Sequence, residues 1–299
     1  MANLKVGMIG LDTSHCPAFV KLLNNADNEF HVPGARVVKA FPGGSKLFSS
    51  SINRVAGFTK DLKEMGVEIC DSIEATAEGM DAFFLESVDG RQHLEQFKIL
   101  AQYGKPVFID KPFACCFEDA KAIVELAKEK NVPVMTASAI RYGKGIDVLH
   151  DGSKVASCEA FGPMALLDDY RDYFWYGIHS AETLYSFMGM GCERVQTIST
   201  DKVDVIVGTW NDGRIGTLRG NRVGSNAFGC MLTTVEEETK FALVSREIPY
   251  YALLLKKMVP FFQTGVPAIQ LEESLEIIAF LEAASQSRAQ NGKVVEIMK

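Results

Sequence analysis

The sequence predicts an α/β protein: an N-terminal Rossmann-type, doubly wound parallel sheet followed by a C-terminal α+β domain with a largely antiparallel sheet. Three observations lead there. The first 140 residues alternate short apolar runs with amphipathic helical periods, the pattern of parallel strands covered on both faces. The second half groups its strand signals ahead of two long helical segments. The length of 299 residues, at roughly 150 per domain, corresponds to about two domains.

Leu4 to Gly10 is a short apolar run ending in glycine, and a helix from Pro17 to Asn24 has its proline well placed for a first turn. Ala35 to Phe41 is a second strand, closed by Pro42-Gly43-Gly44. Val67–Cys70, Asp81–Glu86, Pro106–Ile109 and Pro133–Ala137 are further strands. Arg91 to Tyr103 reads as a helix presenting Leu94, Phe97 and Ala101. Phe117 to Asn131 carries Ala120, Ile123, Val124 and Ala127 at helical spacing. Ligands of such a sheet bind beyond the carboxyl ends of its strands, so the residues after Gly10, Phe41, Glu86 and Ile109 face one crevice.

Beyond a boundary near Arg141–Gly145, Tyr176–Gly189 reads as a helix. Val203–Trp210 and Arg214–Gly220 flank the hairpin signal Asn211-Asp212-Gly213. Asn226–Val235 and Lys240–Ser245 are strand candidates. Helices follow at Tyr250–Gln263 and at Leu271–Asn291, the latter presenting Leu271, Leu275, Ile278 and Leu281. Lys293–Met298 is a final strand. The expected domains are 1–140, for a nucleotide, and 141–299, for substrate and oligomerisation.

Composition narrows the functional classes. Forty-seven per cent hydrophobic and 23% charged residues exclude a disordered or fibrous chain. The net charge is 31 − 38 = −7 with no long basic run, which argues against nucleic acid as partner. No uncharged apolar run reaches the ~18 residues of a membrane span, and the first residues lead into a strand without a signal-peptide pattern. Seven cysteines without a CxxC spacing fit reduced thiols and a cytoplasmic location. Three convergent ligands, which a metal site requires, are not visible, so no metal is expected.

Several segments together resemble the glucose–fructose oxidoreductase / inositol dehydrogenase (Gfo/Idh/MocA) family. Val6-Gly7-Met8-Ile9-Gly10 resembles its first strand. Asp81 to Leu85 followed by His93 resembles its fourth. Gly104-Lys105-Pro106-Val107-Phe108-Ile109-Asp110-Lys111-Pro112 is similar to its Gly-Lys-x-Val-x-x-Glu-Lys-Pro signature. Gly177-Ile178-His179-Ser180-Ala181-Glu182 is similar to its Gly-x-His-x-x-Asp helix, and Glu282–Ser287 with Gly292–Val295 fits its C-terminal pattern. The resemblance implies an NAD(P)-dependent oxidoreductase acting on a secondary alcohol or ketone of a sugar, cyclitol or related polyol, and self-association as a homodimer or homotetramer. It implies Lys111 and His179 as catalytic residues. Alcohol oxidation needs a base for the hydroxyl proton, a role for neutral His179, and a cation for the developing alkoxide, a role for Lys111. The nicotinamide supplies the hydride chemistry.

The fingerprint departs from this family. G-x-G-x-x-G requires three glycines, whereas Gly10-Leu11-Asp12-Thr13-Ser14-His15 has only the first. Asp12 stands where backbone approaches a pyrophosphate, at a cost of about 1 to 4 kcal/mol if its charge faces the phosphates. Asp12 or Ser14 can alternatively cap the helix. After the second strand there is no acid for a ribose, and Ser45 and Lys46 suit a 2′-phosphate, which favours NADP over NAD. The cofactor-binding candidates are therefore Gly10, Asp12, Ser14, His15, Ser45, Lys46, Ser87 and Lys111. The substrate candidates are Tyr142, Asp169, Arg171, Tyr173, Tyr176 and Glu182, with Glu182 a possible partner of His179. Trp175 stands where the family often carries an Asp four residues before the histidine, and Asp172 is the nearest replacement. The competing reading is a non-redox protein that binds a sugar or other small ligand on the same scaffold after losing the dinucleotide. A third is NAD-dependent glycoside elimination.

Overall fold

The computed structural model describes residues 3–299, which form two compact units. The first comprises residues up to Ala137 together with Tyr251–Leu271, and the second comprises Ser138–Tyr250 with Glu272–Lys299.

In the first unit the chain runs β1 (Leu4–Ile9), α1 (His15–Asn24), β2 (Ala35–Phe41), α2 (Ser49–Ile52), α3 (Val55–Glu64), β3 (Glu68–Ile69), α4 (Ile73–Ala77) and β4 (Ala82–Leu85). It continues with α5 (His93–Leu100), β5 (Val107–Ile109), α6 (Phe117–Lys130) and β6 (Val134–Met135). The strands pair in parallel in the order β3-β2-β1-β4-β5-β6, the doubly wound arrangement. Met8, Ile9, Phe83, Phe84, Phe108 and Ile109 are fully buried, as expected of strands covered on both faces. Gly10 ends β1 at φ +86°, a conformation that disfavours a side chain, and its α-carbon lies so close to Ser87 that a Cβ would meet the Ser87 nitrogen at 2.4 Å.

In the second unit, β7 (Val155–Pro163) and α7 (Gly177–Met188) precede β8 (Cys192–Ser199), β9 (Val203–Trp210), β10 (Ile215–Asn221), β11 (Gly229–Thr234) and β12 (Thr239–Leu243). Then come α8 (Tyr250–Thr264), α9 (Leu271–Ala289) and β13 (Val295–Glu296). The sheet order is β12-β11-β7-β10-β9-β8-β13, antiparallel except for the β7–β10 pair. Its strands alternate: Asp204, Ile206, Gly208 and Trp210 of β9 are buried, while Val203, Val205, Val207 and Thr209 are half-exposed. The more open face carries Phe161, Met231 and Phe241, with the Arg219 guanidinium 4.8 Å over the Phe161 ring and 3.3 Å from Glu159.

Some elements differ from the sequence reading. β7 and β8 were not foreseen. β7 mixes small residues with Glu159 and Phe161, and β8 offers only Cys192, Val195 and Thr197 to the interior, so neither shows a strong apolar alternation. The buried residues of α9 include Ile277, Ile278, Phe280 and Leu281, whereas Leu271 and Leu275 are only half-buried. Nearly all of α8 belongs to the first unit, where Phe262 packs on Phe84 at 5.1 Å. A single cut at 140/141 therefore does not describe the chain, which returns to the first unit for residues 251–271.

Gly10→Ala should destabilise the protein by about 2 to 4 kcal/mol, because both φ and the approach of Ser87 oppose a Cβ. A lowered urea midpoint with unchanged slope is the expected result.

Candidate functional site

The loop that follows β1 in the first unit is closed by polar contacts within the unit. Asp12 is completely buried. Its carboxylate accepts the Ser51 hydroxyl at 2.6 Å and the Val88 backbone N–H at 2.9 Å. Burial raises its pKa, and these two hydrogen bonds only partly oppose the rise. The Asp12 carboxylate therefore does not cap α1, and Ser14, which is exposed, makes no side-chain capping bond.

Ser51 lies in α2, and the segment leading to it crosses from the end of β2 to the loop after β4. Gly43 approaches Gly10 closely enough that a Cβ there would sit 3.5 Å from the Gly10 α-carbon. Gly44 O accepts Gln92 Nε2 at 3.3 Å. Ser45 is buried, takes the Ser51 oxygen on its N–H at 2.7 Å and donates its hydroxyl to Asp89 at 2.6 Å. Asp89 also binds the Arg91 guanidinium at 2.7 Å, and these donors together hold its carboxyl below the usual range despite burial. Lys46 is exposed.

Four ionisable side chains meet beyond the ends of β1, β4 and β5. His15 Nδ1 lies 2.9 Å from Asp110 Oδ2 and 3.6 Å from Glu86 Oε2. All three residues are buried, as is Lys111, whose backbone N–H donates to Asp110 Oδ1 at 2.7 Å. Burial alone would lower the His15 pKa, but the Asp110 charge beside it wins and raises it to about 9. Burial and the Asp110 charge push Glu86 up to about 7. Asp110 is held low against its own burial by His15, and Lys111 is lowered by burial against the pull of Asp110. The expectation that no three ligands converge is thus corrected: residues far apart in sequence meet because the parallel sheet aligns the strand ends from which they come. Ser87 is also buried here; its carbonyl binds His93 Nε2 at 2.7 Å, and the other nitrogen of that ring meets Phe113 O at 3.1 Å. His93 is thereby a bridge between two loops.

In the second unit, His179 sits half-buried in the first turn of α7, its Nδ1 2.7 Å from the Ser138 hydroxyl. Tyr176 and Phe228 stand edge-on to its ring at 5.7 and 5.4 Å. Ser138 is the partner that the sequence reading missed; its only signal is its place directly after the last strand of the parallel sheet. Asp172 does not serve His179, because it pairs with Arg288 at 3.2 Å. Glu182 does not either. It is buried against Arg141 at 3.1 Å, and Arg141 also binds Glu273. Burial, with Glu273 nearby, raises Glu182 to about 7 although Arg141 opposes the shift.

The remaining substrate candidates separate. Tyr173 is fully buried and donates to Asp204 at 2.8 Å, so it is a core residue. Arg171 is tied to Glu282. Asp169 and Tyr142 are half-buried, and burial raises the Tyr142 hydroxyl. Tyr176 lies against His179.

The residues of the first unit do not fit a dinucleotide in this arrangement. A carboxylate stands at the second glycine position, and Asp12 and Ser45 are engaged there with Ser51, Val88 and Asp89. At the third glycine position stands the buried His15 ring.

The parallel sheet order of the first unit, β3-β2-β1-β4-β5-β6, is that of a Rossmann fold. Residues 4–138, a little under half of the chain, match the GFO_IDH_MocA family model, described as an oxidoreductase family with an NAD-binding Rossmann fold. An uncharacterised oxidoreductase of Streptococcus pneumoniae serotype 4 is 27% identical over 86 residues, 28% of this chain and 23% of that protein. Myo-inositol dehydrogenase of Lactobacillus casei, solved with NAD(H) and myo-inositol, superposes with a TM-score of 0.78 at 15% identity, covering 100% of this chain and 98% of that one. Scyllo-inositol dehydrogenase of the same organism, solved with NAD(H) and scyllo-inositol, gives 0.76 at 13% identity, covering 99% of each chain. Myo-inositol 2-dehydrogenase of Lactobacillus plantarum gives 0.77 at 16% identity, with 99% of this chain and 100% of that one covered. At these identities the likeness is one of fold.

The Glu182 site generates a pH prediction. Its folded pKa of about 7 lies above the ordinary 4.5, so the folded state holds the extra proton between those values. This contribution to stability is complete below about pH 4.5 and lost as pH rises through about 7. Denaturant titrations should show Glu182→Gln gaining on the parent by roughly 1 to 3 kcal/mol across that window.

Proposed function

We propose that this protein binds a sugar, cyclitol or related polyol without holding NAD(P) in the Rossmann groove, and acts on it through acid–base groups. The observation that carries it is the chain of hydrogen bonds from Val88 through Asp12, Ser51 and Ser45 to Asp89, which engages the carboxylate standing at the second glycine position of a dinucleotide fingerprint. The ligand class is supported by the inositols bound to the two Lactobacillus casei dehydrogenases of the same fold. His179, poised by Ser138, is the proposed proton carrier, with Tyr176 beside it as a ligand contact.

A second reading rests on the family match over residues 4–138: an NAD(P)-dependent oxidoreductase of a secondary alcohol or ketone. It requires the 42–51 segment to withdraw from Asp12. NADP is then favoured, since no acid follows β2, and exposed Lys46 is the residue to meet a 2′-phosphate. A cytoplasmic location is supported by the absence of disulfides among the described cysteines, and no helix of the described residues is long and apolar enough to cross a membrane.

Titration with NADH and NADPH by fluorescence, alongside calorimetry with inositols, hexoses and sugar acids, separates the readings. The expected result is polyol binding with neither dinucleotide bound at micromolar concentration. Asp12→Gly should then improve dinucleotide affinity, by about tenfold per 1.4 kcal/mol relieved. Micromolar NADPH binding by the parent protein would establish the second reading instead.

We further propose a homodimer or homotetramer formed through the open face of the antiparallel sheet. The support is the row of half-exposed apolar residues Val205, Val207 and Phe161, with Met231 and Phe241 more exposed. Light scattering at micromolar concentration should give a multiple of 32.9 kDa, and a monomer mass would refute this.

A further inference from the structure

We infer that His15, Glu86 and Asp110 form a binding site for one divalent transition-metal ion of the Zn²⁺ class. The inference stands on geometry within the first unit and is independent of whether a dinucleotide binds. Each side chain leaves the sheet at a fixed place: His15 opens α1 after β1, Glu86 directly follows β4, and Asp110 directly follows β5. β1, β4 and β5 are neighbours in one parallel sheet, so the three converge from adjacent strand ends.

Their donor atoms have the spacing of ligands around one ion. His15 Nδ1 is 2.9 Å from Asp110 Oδ2 and 3.6 Å from Glu86 Oε2, and all three lie within 4.8 Å of one another. With metal–ligand bonds of about 2.1 Å, neighbouring ligands stand about 3.0 Å apart at right angles and about 3.4 Å apart in a tetrahedron. The observed separations straddle these values.

A second, independent observation points the same way. The residues are at most 6% exposed, yet His15 Nδ1, both Glu86 oxygens and Asp110 Oδ2 have no hydrogen-bond partner. Even the 2.9 Å contact between His15 and Asp110 lacks hydrogen-bond geometry. Carboxylate oxygens buried side by side without donors of their own are costly. A dication bound to both, with a neutral imidazole as third ligand, satisfies all of these atoms and cancels the carboxylate charge. One nitrogen and two carboxylate oxygens suit Zn²⁺, Mn²⁺ or Fe²⁺ better than a thiolate-selecting ion.

The surroundings hold the ligands as a metal site requires. The other Asp110 oxygen accepts the Lys111 N–H at 2.7 Å, which fixes the carboxylate plane. The His15 ring is wedged between Phe19 at 5.6 Å and Tyr251 at 4.7 Å. Cys16 is the nearby competing ligand, but its thiol is directed to Gly10 O at 3.2 Å and burial raises its pKa.

The test uses the full-length protein, stripped with a chelator and dialysed, then titrated with Zn²⁺ by calorimetry and with Co²⁺ by absorption spectroscopy. One equivalent of Zn²⁺ per chain is expected. Co²⁺ should give visible d–d bands without the near-ultraviolet charge-transfer band of a thiolate ligand, and Zn²⁺ should displace it. His15→Gln and Glu86→Gln, folded by circular dichroism, should each weaken Zn²⁺ binding by on the order of tenfold to a hundredfold. Should either variant fail to fold, the wild-type Co²⁺ spectrum decides alone. The proposal is overturned if the wild-type protein takes up no Zn²⁺, if folded variants bind it as the parent does, or if Co²⁺ shows a thiolate band that places the ion on cysteine.

Discussion

A carboxylate removed from water has to be met by donors, and at Asp12 that demand organises the crevice of the first unit. The residue occupies the turn after β1 where a dinucleotide-binding chain has glycine. Without a side chain, the turn would leave room for a phosphate and offer it backbone N–H groups. With Asp12 present and fully buried, the donors come from the protein itself: the Ser51 hydroxyl and the Val88 N–H. Ser51 can reach only because the glycine pair at 43 and 44 lets the chain turn across Gly10 at positive φ. Ser45, Asp89, Arg91 and Gln92 then fasten that crossing to the loop after β4. The carboxylate in this loop is thus met by a neighbouring segment, each part satisfying a buried polar atom of another.

The two units solve the problem of buried charge differently. In the second, Arg141 lies between Glu182 and Glu273, so one guanidinium serves two carboxylates and the more deeply buried one takes up a proton more readily. Every member has a partner at hydrogen-bond distance. In the first, His15, Glu86 and Asp110 are concentrated at three strand ends with hydrogen bonds missing on the facing atoms. An arrangement that leaves donors and acceptors unmatched, in a unit otherwise packed with fully buried phenylalanines, is the mark of a site shaped for something other than its own stability.

The sequence by itself determined the architecture. Runs such as Ala82–Leu85 and Val107–Ile109 are apolar throughout, a pattern only a strand covered on both faces tolerates, and the helical period of α6 leaves little choice for what covers them. It also determined where the parallel sheet would present polar residues, since strand ends in such a sheet share one edge. Tertiary structure alone decided what those residues do. Asp12 reads equally well as a helix cap or a phosphate opponent until Ser51 is seen against it. Tyr173 reads as a crevice residue until its hydroxyl is found on Asp204 in the core. Ser138 carries no local signal that it will meet His179, and α8 none that it will pack on Phe84. The physical reason is one of range. Periodicity and turn chemistry act between residues a few positions apart, whereas the partner of a buried polar atom is chosen by whichever distant segment the fold brings within 3 Å, about hydrogen-bond length.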